Sequence, residues 1–137
     1  MEYSLGDMIR VKKLISKELV EDFARISGDN NPLHLNENVA KSGPFGKCIA
    51  HGMISASLIS AILGTQFPGE GTIYMGQNLK FSSPVYVNEE VEFQIEIIEF
   101  LEKGKAKLRT DVFNGQGVKV IEGEALVKLP NLSKNIN

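Results

Sequence analysis

The stretch Gly52-Met-Ile-Ser-Ala-Ser-Leu-Ile-Ser-Ala-Ile-Leu63 decides the fold. Drawn as a helix, it carries Met53, Ile54, Leu58, Ile59, Ile62 and Leu63 on more than one side, with only Ala and Ser between them. From Gly52 to Pro68 there is no Asp, Glu, Lys or Arg. A helix without a charged face is normally buried on most sides. The segment therefore predicts a helix over 52–63 that the rest of the chain must wrap.

The C-terminal half supplies the wrapping. Ile73, Met75, Leu79 and Phe81 alternate, and Val91, Phe93, Ile95 and Ile97 alternate with Glu90, Glu92, Gln94 and Glu96. Ala106, Leu108, Thr110 and Val112 face one way while Lys105, Lys107, Arg109 and Asp111 face the other. A period of two with one polar side marks antiparallel strands with one solvated face. Lys103-Gly104 and Asn114-Gly115-Gln116-Gly117 have hairpin-turn chemistry. The last strand, Val118–Leu129, changes phase between Val120 and Ile121, which predicts a bulge there. With a short N-terminal strand around Met8–Val11, these elements give an α+β domain in which a curved antiparallel sheet wraps one long apolar helix, an arrangement that resembles the hot-dog fold. Its edge strand needs covering, which predicts a homodimer or higher homo-oligomer.

Composition bounds the function. The 137 residues suit one domain over 1–137, with the polar tail from about 131 to 137 expected to be disordered. Fifteen basic and seventeen acidic residues give a formal charge of −2, which offers no positive excess for nucleic acid or a membrane surface. The single cysteine, Cys48, excludes an internal disulfide and a cysteine-based zinc cluster, and reads as a small core residue. MEYSLGDMIRVKK lacks the apolar core of a secretory signal, and the stretch from Ile49 to Gly69 is too polar for a membrane span, so a cytoplasmic protein is expected.

Ahead of the apolar helix stands a second, amphipathic one. Ser16 caps it, Glu18, Glu21 and Asp22 suit its N-terminal dipole, Leu19, Val20, Phe23 and Ile26 make its apolar face, and Gly28 ends it. There follows Ser27-Gly-Asp-Asn-Asn-Pro-Leu-His34, a turn in which Pro32 disfavours helix at Asn31. Asp29 and His34 are a carboxylate and an imidazole that, if they converge on one water, share removal and return of a proton. Asn31 between them offers a donor and an acceptor to orient that water. The same residue types also serve simply to satisfy turn backbone. His51 and Gly52 open the apolar helix, where the first amides lack internal partners and the dipole is positive. That is a place to hold a carbonyl oxygen as charge develops on it, although a cap glycine and a structural histidine are equally served there. Because the apolar helix brings no carboxylate, a general base must come from elsewhere, and Asp29 is the candidate. Ser57 and Ser60 carry the hydroxyls available to face a ligand. The two histidines with Asp29 have metal-ligand types, but their spacing matches no standard site and no metal is assigned. Gly43-Pro44-Phe45-Gly46-Lys47 lacks the strand–loop–helix context of a phosphate loop.

The run FARISGDNNPLHLNENVA, Phe23 to Ala40, resembles the signature of MaoC-like, (R)-specific enoyl-CoA hydratases. Its elements are an aromatic residue, a small residue before Asp, then Asp-x-Asn-Pro-x-His, and Ala six residues after the His. The stretch from His51 through Val91 resembles the same family's central helix and first long strands, so the likeness runs from about Phe23 to Pro130. The resemblance implies a hot-dog dimer, a lyase of fatty-acid metabolism that hydrates trans-2-enoyl-CoA to (R)-3-hydroxyacyl-CoA or dehydrates it. It implies Asp29 and His34 as the catalytic pair, Asn31 assisting, the Gly52 N–H on the thioester oxygen, His51 beside it, and Ser60 near the pocket supporting the active-site loop. It implies no separate cofactor, coenzyme A entering as part of the substrate. Lys41 and Lys47 are candidates for its phosphates by charge alone. Two other functions suit the same fold: an acyl-CoA thioesterase, in which water attacks the carbonyl carbon, and a non-catalytic acyl-CoA-binding module, which needs no convergent Asp and His.

Overall fold

The computed structural model describes residues 2–130, so the expected tail lies outside the described residues. Five strands, β1 (Met8–Ile15), β2 (Ile73–Phe81), β3 (Glu89–Phe100), β4 (Lys105–Phe113) and β5 (Lys119–Lys128), form one antiparallel sheet in the order β1-β3-β4-β5-β2. Its helices are α1 (Lys17–Ser27), α2 (Pro32–Leu35), α3 (Glu37–Lys41) and α4 (Gly52–Thr65).

Helix α4 is the apolar segment. Ile54, Ile59, Ile62 and Leu63 are buried among Val91, Phe93, Ile95 and Ile97 of β3, Leu108 and Val112 of β4, and Val120, Ala125 and Val127 of β5. The inward alternation on β3 and β4 is as the pattern predicts. Burial is not complete on all sides, however. Met53, Ser57, Ser60 and Ala61 form an exposed stripe, because spacings of three and four residues keep them on the one face of α4 that this sheet leaves open.

The hairpin turns are also as read. Lys103 and Gly104 both take left-handed conformations, φ 64° and 74°, in the short turn between β3 and β4 that the Leu101 N–H closes on the Lys105 carbonyl. The Gly117 N–H bonds to the Asn114 carbonyl, and the Asn114 side chain accepts from the Gln116 and Val118 amides. The bulge expected between Val120 and Ile121 is present: Val112 pairs Ile121 while Phe113 pairs Lys119, leaving Val120 as the extra residue. Both Val120 and Ile121 are then buried.

Three expectations change. Strand β2 turns only part of its apolar set inward: Leu79 packs against the core, and Tyr74 does so in place of Ile73 and Met75. A register shift between Tyr74 and Gly76 breaks its alternation, and Ile73, Met75 and Phe81 remain half-exposed at the sheet edge. Asp111 points away from the core as expected yet is buried, because it accepts the Gly123 N–H and is flanked by Lys119 at 3.2 Å. On α1, the Ser16 side chain accepts the Leu19 N–H and the Gly28 N–H bonds to Ala24 at the far end, as expected. Ile26, though, is 77% exposed: Val20 and Ala24 carry the buried face, and Ile26 falls outside it.

Truncating Ile59→Ala removes a fully buried side chain from the contact of α4 with the sheet. It should cost about 2–5 kcal/mol in urea unfolding, whereas Ile26→Ala should change stability by no more than about 0.5 kcal/mol.

Candidate active site

The loop after α1 is tied in place by its own side chains. The Asp29 N–H bonds to the Ser27 hydroxyl, and the Asp29 carboxylate accepts the Asn31 N–H at 3.2 Å. Asn31 caps α2, its Oδ1 accepting the Leu33 N–H at 3.1 Å, with Pro32 at the first helical position where a missing N–H costs nothing. Asn31 therefore has a backbone role, and the water-orienting role proposed for it falls to its remaining amide group. The turn-satisfying role of Asp29 leaves it able to do chemistry as well, since a carboxylate holding one amide keeps lone pairs to spare.

Two long-range bonds connect this loop to the start of α4. The His34 Nδ1 lies 2.6 Å from the Ile49 carbonyl, and the His51 Nε2 lies 3.0 Å from the Asp29 carbonyl. A carbonyl only accepts, so His34 donates through Nδ1–H and His51 through Nε2–H. That leaves the His34 Nε2 with a free lone pair. The two rings stack with centroids 3.9 Å apart and planes inclined by 29°, and Phe23 packs on the His51 ring at 5.0 Å. A carboxylate oxygen of Asp29 and a ring nitrogen from each histidine all lie within 4.8 Å of one another. Asp29 is exposed, His34 half-buried and His51 buried, its Nδ1 having no partner among the described residues. These three residues have the donor types of a metal site.

His34, His51 and Gly52 line a cavity of about 380 Å³ walled by Phe45, Ile49, Val85 and Ile121. His51 occupies the N-cap of α4 without a side-chain cap bond, so the first amides of the helix stay open to this space. Gly52 has a steric reason to be glycine: a Cβ there would stand 2.7 Å from the Phe81 ring. The sequence brings together Asp29, His34, His51 and Gly52, although Asp29 stands beside the cavity lining rather than in it. Within one chain Ser60 lies on the exposed stripe of α4 and is not part of the cavity lining, whose buried hydroxyl is that of Ser55. Ser57 bonds back to the Met53 carbonyl. Lys41 and Lys47 are exposed, and Lys47 sits 4.3 Å over the Tyr86 ring. Burial raises the Cys48 thiol above its ordinary range, as suits a core residue. The Ile49 carbonyl, on His34, and the Phe81 ring, against Gly52, are the contacts of this region that motif reading missed; the first is made by the backbone and leaves no side-chain signal.

Residues 7–120 match the MaoC like domain family. The chain is 47% identical to the 3-hydroxybutyryl-CoA dehydratase of Methylorubrum extorquens over 95% of its own length and 82% of that protein. It is 43% identical to the (R)-specific enoyl-CoA hydratase of Aeromonas caviae, covering 92% and 95% of the two chains. The unliganded R-hydratase PhaJ1 from Pseudomonas aeruginosa superposes with a TM-score of 0.91 at 40% identity, covering 94% of this chain and 83% of that one.

The hydrogen-bond directions set opposite tautomers in two adjacent rings. Long-range nitrogen–proton correlation spectra should show the neutral His34 protonated at Nδ1 and the neutral His51 at Nε2. A common tautomer for both would contradict the bonding described.

Proposed function

The chain belongs to the MaoC-like domain family, and we propose that it is an (R)-specific enoyl-CoA hydratase. This hydro-lyase adds water across the C2=C3 bond of a trans-2-enoyl-CoA to give (R)-3-hydroxyacyl-CoA, and catalyses the reverse dehydration. The observation that carries this reading is the convergence of the Asp29 carboxylate and the His34 ring beside the open amides of α4.

In this reading the thioester oxygen rests on the Gly52 N–H, at the positive end of the α4 dipole, and its polarisation makes C3 electrophilic. A water held between Asp29 and His34 attacks C3, and the pair takes its proton. The His34 Nε2 is suited to this because its other nitrogen is already committed as a donor to Ile49. The proton returns to C2 on the same side. His51 acts as a positioning residue, its Nε2–H holding the Asp29 carbonyl and its ring supporting that of His34. Coenzyme A belongs to the substrate, and no step calls for a separate cofactor. The uncharged α4 argues against thioester hydrolysis, because it places no carboxylate near the carbonyl carbon.

The same proposal includes a homodimer. The two sheet edges differ: β1 exposes Arg10, Lys12 and Lys13, charges that discourage pairing, whereas β2 exposes Ile73, Met75 and Phe81. The β2 edge lies beside the open stripe of α4, so one contact between copies covers both. Among the described residues no helix is long and apolar enough to cross a membrane. A cytoplasmic setting accords with a lone buried cysteine.

Mixing the protein with crotonyl-CoA should abolish the enoyl absorbance without releasing thiol; thiol release would mean hydrolysis instead. Asp29→Asn and His34→Ala should each lower kcat/KM by about a hundredfold or more while leaving the circular dichroism spectrum unchanged. Near wild-type turnover in either variant would overturn the assignment. Light scattering should give twice the mass of one chain, and Met75→Lys should shift the population toward monomer.

A further inference from the structure

The buried residues of α4 are Ile54, Ser55, Ile59, Ile62 and Leu63, and Ser55 is the polar one. It is 4% exposed, yet it belongs to the lining of the cavity that His34, His51 and Gly52 share. A serine or threonine inside a helix ordinarily bonds back to the carbonyl four residues earlier. On α4 Ser57 does so to Met53 at 3.1 Å, and Thr65 to Ala61 at 2.6 Å. Ser55 makes no such bond to His51. Among the described residues its hydroxyl has no partner, and it is left open to the cavity.

The neighbouring groups do not explain it. Ser82 and Ser83 also line the cavity, but the first is exposed and the second half-buried, so water satisfies them. Of the other buried lining residues, Ala50, Val85 and Ile121 are apolar. His51 has its one N–H committed to the Asp29 carbonyl, and its Nδ1 only accepts. Ser55 is therefore the buried side chain of this lining that is free to donate to a ligand oxygen. A buried hydroxyl left without a partner is destabilising, and an alanine would fill the same place without that loss.

Ser55 follows Gly52 by three residues, which puts it on the same face and roughly 4.5 Å further along the helix axis. With a thioester oxygen on the Gly52 N–H and C3 at Asp29 and His34, the next carbon of the acyl group is the one that comes to this hydroxyl. Resting on the hydratase reading, we propose that Ser55 is a specificity-determining residue whose hydroxyl receives an oxygen carried on C4. The substrate class it serves is that of short enoyl thioesters oxygenated at C4, with a carbonyl or hydroxyl there.

The test is calorimetric binding of pentanoyl-CoA and 4-oxopentanoyl-CoA to wild type, Ser55→Ala and Ser55→Cys. Both ligands are saturated, so neither offers a C2=C3 bond to hydrate, and they differ in the oxygen at C4. Cysteine stays close to the shape of serine while its thiol is a weak donor. Each substitution should lower the 4-oxopentanoyl-to-pentanoyl affinity ratio by about tenfold. One ratio common to all three proteins overturns the proposal and means that the hydroxyl holds water only. Equal loss of both ligands overturns it too, because Ser55 then serves the shape of the cavity. So does a fall in Ser55→Ala that Ser55→Cys does not share, which traces to volume and not to the hydrogen bond. Crotonyl-CoA turnover by the wild type is followed alongside: its absence counts against the hydratase reading, while the ratios still judge the Ser55 contact.

Discussion

Over its 14 residues α4 carries no charged side chain, and its apolar flanks have to leave water for the chain to fold. Strands β3, β4 and β5 answer that demand with fully buried residues at alternate positions, from Val91 to Ile97, Ala106 to Val112 and Val120 to Val127. The bulge at Val120 belongs to the same solution. One extra residue lets both Val120 and Ile121 reach the interior, and Ile121 then supplies a wall of the cavity beside His34 and His51.

The constraint that places the helix inside also places the chemistry at its start. A helix that begins at the surface can give its first amides to water, but one that begins in a cavity needs a cap or a ligand. Here His51 declines the capping role and spends its Nε2–H on the Asp29 carbonyl instead. The amides of α4 are left facing the space that His34 and Asp29 border. The short helix α2, started by Asn31 and Pro32, sets His34 so that its Nδ1 meets the Ile49 carbonyl, and this fixes which nitrogen stays free.

The open side of α4 is the other consequence. Five strands do not close around the helix, and β2 ends the sheet with Ile73, Met75 and Phe81 uncovered. At Gly52 the missing Cβ admits the Phe81 ring against the first turn of α4.

Local chemistry alone made much of this legible. The uncharged run 52–63, the period of two in β3 and β4, the turns at Lys103-Gly104 and Asn114–Gly117, and the phase change at Val120 each determine an element through short-range sterics or polarity. Asp29, His34 and the His51-Gly52 pair were readable as candidates because their residue types are costly to leave idle near an apolar core. What the sequence left open depended on contacts between distant positions. The register shift between Tyr74 and Gly76 leaves Ile73 and Met75 outside the core, Asp111 is buried by partners across the sheet, and Ser55 rather than Ser60 lines the cavity. The tautomers of His34 and His51 follow from carbonyls 15 and 22 residues away. Periodicity tells which residues share a face, but only packing decides what that face meets. That is why the tertiary structure was needed to turn a turn sequence with a histidine into a site.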